Sequence, residues 1–430
     1  MSELLSRHRA VLPSWMPLYY ESPLEITGGK GSRVTDADGR SYLDFFTGIV
    51  TNILGYDVDE VREAVEAQVA TGVAHTSTLY LIRHQVELAE QIAELSGIPD
   101  AKVFFTNSGT EANETALLLA THARGSDEVL ALRGSYHGRS FGTVAVTGNS
   151  AWKNSSLSPL NVHYLHGTDH ASPAFRHMTE HEYIDACVAD LRDVLDTTAP
   201  NVACMIAEPV QGVNGFAMPP DGLLAAYKEV LDEYGILMIS DEVQTGWGRT
   251  GTAFFGIGNH GVTPDAMTFA KGLGNGFAIG GVVARGDLMD ALPAMGVATF
   301  GGNPVSTAAA RATLRYVLDH DLQSNALRQG STILDGLLAL RELPTVKDVR
   351  GKGLMFAVEM AEPETGAPSP ALAGQVLEAT RERGLLVGKG GIKGNVLRMA
   401  PAMTLSDADA AEGRDLLLDA VRAVDAGAAS

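Results

Sequence analysis

The 430-residue chain carries only two cysteines, Cys187 and Cys204, which cannot build a disulfide framework. A reducing compartment suits such a chain, and its length lets it bury large cores without cross-links. It also lacks a basic block: the formal net charge is −20, so neither nucleic acid nor an anionic membrane is expected as a partner. No uncharged apolar run is long enough to span a bilayer. Residues 1–5 lack a basic region leading into an apolar core, so no signal peptide is expected and a cytoplasmic location is. No internal repeat or low-complexity linker interrupts the sequence. A G-x-x-x-x-G-K-[ST] loop is missing as well: Lys30, Lys352 and Lys389 each follow a glycine, and each is followed by another. That sets nucleotide hydrolysis aside, although residues 236–242 end in the apolar-run-then-Asp-Glu pattern that accompanies such a loop.

What is present is glycine, 47 of them, and 45% hydrophobic residues. Many glycines fall at the ends of apolar runs, where turns and close backbone approaches need them. Two domains fit the length. Residues 28–46 read as short strands with a turn at Asp36-Ala37-Asp38-Gly39, and 58–73 and 85–96 read as helices. Buried strands are expected at 103–106, 128–132, 202–207, 236–240, 266–270 and 280–284, with helices at 183–195 and 223–234 between some of them. This alternation predicts an α/β domain with a largely parallel sheet. A long helix is expected from Asn303 to Asp319, then helices near 331–340, 370–383 and 407–424 in a smaller α/β layer. The expected division is 1–55 joining the small domain, 56–305 as the large domain, and 306–430 as linking helix and small domain.

Ligands of open parallel sheets sit beyond the carboxyl ends of the strands. The residues expected there are Asn107-Ser108-Gly109-Thr110-Glu111, Tyr136-His137-Gly138-Arg139, Glu208-Pro209-Val210-Gln211-Gly212, Asp241 and Lys271. Ser108-Gly109-Thr110 opens a helix, where free N–H groups and the helix dipole favour an anion; Ser108 and Glu111 also fit a plain capping box. Tyr136 can stack on a flat ring. A buried Asp241 needs a cationic partner. Lys271 ends an apolar run and precedes Gly272, Gly274 and Gly276, which make room for a bulky group. An acid for a pyridinium nitrogen and a lysine for an aldehyde are what pyridoxal 5'-phosphate (PLP) requires of a protein. The segment Gly246-Trp247-Gly248-Arg249-Thr250-Gly251 matches G-x-G-x-x-G, but Phe254, Phe255, Gly256 and Gly258 after it read as loop, so a dinucleotide site is not expected.

Together with Thr299-Phe300-Gly301-Gly302-Asn303-Pro304, these motifs resemble the class III, or omega, aminotransferases of the fold type I PLP enzymes, over about residues 25–420. The resemblance implies a seven-stranded, mostly parallel sheet in a large domain, a smaller α/β domain, and a homodimer or tetramer. It implies that Lys271 bonds covalently to the cofactor and relays protons, and that Asp241 pairs with the pyridine nitrogen. Val243 would pack on the ring face opposite Tyr136, Gln244 would sit near the ring hydroxyl, and His137 would join the cofactor site. Ser108, Gly109 and Thr110 would hold the phosphate, and Thr299 would reach the phosphate of a partner chain. Arg398 would bind a substrate carboxylate, Glu208 would pair with Arg398 when no carboxylate is present, and Arg139 would offer a second carboxylate ligand. No metal is expected. The implied reaction is transfer of an amino group from an omega-amino acid or alanine to pyruvate, glyoxylate or 2-oxoglutarate. The Thr299–Pro304 stretch looks most like alanine–glyoxylate and beta-amino-acid transaminases, and Arg139 matches a 4-aminobutyrate transaminase position. An aminomutase, a decarboxylase and a non-catalytic regulatory module remain as alternatives. Leu54-Gly55-Tyr56-Asp57, where the family often has Gly-His, and Trp247, where a smaller aromatic is common, depart from the pattern.

Overall fold

The computed structural model describes residues 3–155, 157–197 and 201–428. Its centre is a 7-stranded sheet in the order Ala101–Thr106, Gly280–Arg285, Ala266–Phe269, Leu237–Asp241, Val202–Ala207, Glu128–Leu132, Asn161–Leu165. Every strand but Gly280–Arg285 runs the same way; that one is antiparallel to both its neighbours. The central strands Val202–Ala207 and Leu237–Asp241 are buried along their whole length, which explains the apolar runs that precede Ser240 and Asp241 in the second and fill the first.

The two sheet faces are built from alternate residues. Val129, Ala131, Cys204, Ile206, Ile239 and Ala266 pack against Ala112, Ala116 and Ala120 of the helix Gly109–Arg124. Leu130, Leu132, Met205, Met238 and Met267 belong to the larger core on the other side. Small side chains on the first face bring the helix close, and because it directly follows the end of Ala101–Thr106 its N-terminus lies at the sheet's carboxyl edge.

Two smaller sheets flank this layer. The hairpin strands Ile26–Lys30, Arg33–Asp36 and Ser41–Asp44 are joined in parallel by Leu385–Leu386, and Arg33 pairs with Asp409 and Glu412. The N-terminal segment is thus tied to the C-terminal one. The other sheet orders Val346–Lys352, Met355–Met360, Val396–Met399 and Gly388–Gly390. The long helix starts at Pro304, with Asn303 Oδ1 accepting the Ser306 N–H at 2.9 Å; proline at the first helical position and an asparagine cap explain the sharp start.

Two local expectations change. The helix expected near 331–340 begins at Leu322, capped by Asp321. Gly330, a helix-weakening residue in the sequence, lies mid-helix because a Cβ there would come within 2.0 Å of the Gly353 carbonyl oxygen. The edge strand Asn161–Leu165 escapes the apolar-run criterion because it is only partly buried. Among the described residues, no helix is long and apolar enough to cross a membrane, and no cluster of His, Cys, Asp and Glu could hold a metal ion.

Candidate active site

Asp241 is the last residue of its strand and pairs in register with Thr268. Lys271 follows three residues later, after the neighbouring strand has ended. Two adjacent strand ends therefore bring the acid and the amine together. The Lys271 ammonium feels the charges of Asp241, Glu208 and Arg398; burial is the largest influence and pulls its pKa down to about 8. Its Nζ makes no hydrogen bond among the described residues. The backbone at Lys271 has φ 42°, a left-handed conformation that costs a non-glycine residue about 1–2 kcal/mol and re-aims the chain into the turn ending at Asn275.

Asp241 is buried and held through both carboxylate oxygens. Its Oδ2 accepts from Asn113 Nδ2 at 2.7 Å and from His137 Nδ1 at 2.8 Å, and its Oδ1 accepts the Val243 N–H at 3.1 Å. His137 has a completely buried side chain, so it acts on the carboxylate from behind. Its Nε2 has no hydrogen-bond partner among the described residues.

The helix Gly109–Arg124 begins with Ser108, whose Oγ accepts the Glu111 N–H at 3.3 Å, while Glu111 Oε2 accepts the Asn107 N–H at 2.7 Å. The capping alternative is thus present, and it leaves the N–H groups of Gly109 and Thr110 without acceptors among the described residues. A Cβ on Gly109 would meet Val243 Cγ1 at 3.1 Å and Cγ2 at 3.2 Å, so this position admits little more than backbone. The Thr110 hydroxyl is already committed. It accepts the Arg139 and Ser140 N–H groups at 3.0 and 3.2 Å and shares hydrogen bonds with Ser140 and Thr143. Thr110 is left to serve an anion through its backbone alone, its side chain anchoring the loop after Tyr136. The Tyr136 ring packs edge-on against Trp152 at 5.6 Å.

Glu208 and Arg398 do not form the direct ion pair expected of them. Both hold Gly212: Glu208 Oε2 accepts its N–H at 2.8 Å, and Arg398 Nη1 donates to its carbonyl at 2.7 Å. Glu208 Oε1 takes the Tyr136 N–H at 2.8 Å. Arg398 also donates to the Lys389 carbonyl at 3.3 Å and lies over the rings of Phe46 and Phe216. Its Nε is buried without a partner, and burial lowers its pKa. Arg139 is exposed, stacked over Trp15 at 5.2 Å. Thr299 is exposed.

Three members of the neighbourhood were not foreseen. Asn113 and Thr268 support Asp241. Glu242, fully buried, accepts from Ser240 Oγ, Thr245 Oγ1 and the N–H groups of Gly256 and Ile257. It thereby fastens the turn 244–252 that carries Gln244, and the G-x-G-x-x-G match is that turn. Trp247 is core packing, edge-on to Phe254, Phe255 and Phe269. Tyr56 donates to Asp44 Oδ2 at 2.5 Å.

Burial raises the Glu208 pKa from 4.5 to about 7, nearby Asp241 adding to the rise and His137 opposing it. The folded chain therefore keeps a proton on Glu208 that the unfolded chain has released, and stability falls as pH climbs from about 4.5 through about 7. In the cofactor-free protein, Glu208→Gln is expected to remove up to about 3 kcal/mol of this fall. Identical melting-temperature slopes for both proteins across that window would contradict it.

The residues present fit PLP. Two free N–H groups at a helix start suit a phosphate. Buried, unpaired Gln244 Oε1 is an acceptor suited to a ring hydroxyl. Asp241 is a carboxylate for a ring cation, and Lys271 is an amine without a partner. This is the chemistry of a pyridoxal 5'-phosphate enzyme, carried by the fold type I scaffold. The family model for class-III aminotransferases matches residues 18–421, and the chain belongs to that family. It is 39% identical to an acetylornithine aminotransferase of Mycolicibacterium smegmatis over 94% of both chains. It is 37% identical to an alanine–glyoxylate aminotransferase 2 homologue of Arabidopsis thaliana, over 97% of this chain and 86% of that one. A thermostable (S)-enantioselective omega-transaminase from Thermomicrobium roseum superposes with a TM-score of 0.90 at 33% identity, over 98% of each chain. The enzyme is an aminotransferase using PLP, and acetylornithine aminotransferases stand beside the alanine–glyoxylate type suggested by residues 299–304.

Proposed function

We propose that the enzyme moves an amino group from an omega-amino acid or alanine-type donor, the terminal amine of acetylornithine included, to a carboxylate-bearing 2-keto acid such as pyruvate, glyoxylate or 2-oxoglutarate. The observation that carries this reading is Arg398: a buried guanidinium with an unpaired Nε, near enough to act on Lys271. A carboxylate satisfies such a fork with two parallel hydrogen bonds. The names of the relatives agree, since alanine, glyoxylate and acetylornithine all carry carboxylates.

When bound, PLP supplies an aldehyde that condenses with amines and a ring that takes up the electrons of a broken C–H bond. The chain's own residues do the rest. Gly109 and Thr110 donate their N–H groups to the phosphate, with Ser108 closing the helix end. Val243 and Tyr136 confine the ring, and Gln244 accepts from its hydroxyl. Asp241 keeps the ring nitrogen protonated. Lys271, its pKa lowered to about 8, carries on the order of a hundredfold more neutral amine at pH 7 than an ordinary lysine. It can therefore accept a proton from the substrate carbon and return it. Arg398 orients the substrate by its carboxylate, and Arg139, once released from Trp15, serves a second one in this reading.

The active species in this reading is a cytoplasmic homodimer, with Thr299 completing the partner's phosphate site. Leu79, Tyr80, Leu81, Met295, Val297 and Phe300 are exposed apolar residues, and Thr299 lies among the last three; patches of this kind mark association surfaces. A panel crossing amino donors with keto acids tests the substrate class, and sedimentation of the active enzyme tests the assembly. Turnover without any keto acid would overturn the first, and a fully active monomer the second.

A further inference from the structure

Beyond the residues assigned above, one buried amide stands behind the acid. Asn113 lies on the helix Gly109–Arg124, one turn in from its start, and is buried. Its Nδ2 donates to Asp241 Oδ2 at 2.7 Å and to the His137 carbonyl at 2.8 Å. Both amide hydrogens are thereby used. Its Oδ1 accepts from Thr268 Oγ1 at 2.6 Å. Thr268 is itself buried, on the strand paired with Asp241.

The arrangement has a direction. Turned over, the Asn113 amide would set its oxygen against a carboxylate and a carbonyl, three acceptors facing one another in a dry site. The carboxylate and the carbonyl thus select the opposite orientation, and the Thr268 hydroxyl donates to the Oδ1 that this orientation leaves facing the strand. With His137, the amide gives Asp241 Oδ2 two partners at 2.7 and 2.8 Å, which fix the plane and direction of the carboxylate. Oδ1 then has only the Val243 N–H at 3.1 Å and retains capacity for a further donor.

We propose that Asn113, braced by Thr268, is a positioning residue that holds the Asp241 carboxylate in the one rotamer able to meet the cofactor's ring nitrogen; this rests on the assignment of Asp241 to that nitrogen. A tie between helix and strand alone would need no such polarity, because Ala112, Ala116 and Ala120 already seat this helix by apolar contact.

The test uses the cofactor-loaded protein and reads cofactor dissociation, the pH titration of the bound cofactor's absorbance, and thermal stability. Asn113→Ala is expected to weaken cofactor retention by about 10- to 100-fold, the range for losing a partner that orients a liganding side chain. It should also displace the absorbance titration in the same direction as Asp241→Asn. Asn113→Ser, which restores a short donor, should recover part of both changes. Thr268→Val should produce a smaller change of the same sign and add nothing to Asn113→Ala, since the two act as a unit. Leu117→Ala, a packing loss on the same helix, should lower the melting temperature but leave the cofactor readings at wild-type values. If Asp241→Asn alters the cofactor readings while Asn113→Ala and Thr268→Val leave them unchanged, the positioning role is overturned and the Asp241 assignment stands. If Asp241→Asn changes nothing, both fall.

Discussion

Lys271→Ala is expected to lower kcat by at least about 10⁴-fold, the upper end for loss of a positioned acid–base group. One nitrogen has two tasks, attachment of the cofactor and transfer of the substrate proton. Asp241, Glu208 and Arg398, whose charges act on Lys271, supply two carboxylates and a guanidinium. Borohydride treatment should leave cofactor covalently fixed to the wild type and not to the variant. Stability should move the other way. Burial depresses the Lys271 pKa to about 8, so the folded state releases this proton more readily than the unfolded one and the lysine is a liability below that pH. The cofactor-free alanine variant should melt no lower than wild type at pH 7, while the wild type should gain on it as pH rises from about 8 to about 10.5. Retained turnover would remove Lys271 from the mechanism.

Arg398→Ala should reduce kcat/KM for carboxylate-bearing substrates by about 10²–10³-fold, the cost of truncating one partner of a desolvated charge pair. Plain amines should stay within a few-fold of wild type. The guanidinium has hydrogen bonds to two backbone carbonyls, an unpaired Nε, and the rings of Phe46 and Phe216 beside it, and no ion pair neutralises it among the described residues. Arg398→Lys keeps the charge and loses the fork, so it should fall between the two. Steady-state kinetics on matched substrates with and without the carboxylate decide the matter; equal losses for both would end the carboxylate role.

The sequence made the strand ends legible because the central strands are buried on both faces, so they read as apolar runs that stop abruptly at Asp241 and just before Lys271. It made the helix start at Gly109 legible because caps and glycines carry local signals. Partners reached only through tertiary contact were not legible. Glu242 looked like a nucleotide-site acid, and its actual partners are the N–H groups of residues 256 and 257. Asn113 lies two residues beyond the Asn107–Glu111 motif, and nothing local shows that its amide meets a carboxylate 128 positions later. The Thr110 hydroxyl carries no sequence mark of its commitment to the loop at Arg139 and Ser140. The joining of Glu208 to Arg398 through a glycine peptide needs coordinates to be seen. Asn161–Leu165 and the helix from Leu322 were obscured for a related reason: half-burial and a mid-helix glycine weaken the periodic signal on which such readings depend.

The peptide unit of Gly212 is grasped at both ends, by an acid from the large sheet and by a guanidinium from the small one. If the arginine lets go of that carbonyl to greet an incoming anion, the glycine is freed to shift, and with it the donor that steadies the acid's charge. Recognition of the substrate's tail and the proton affinity beside the reacting amine are then coupled through one joint of the main chain, so an altered pH optimum should accompany any redesign of the carboxylate pocket.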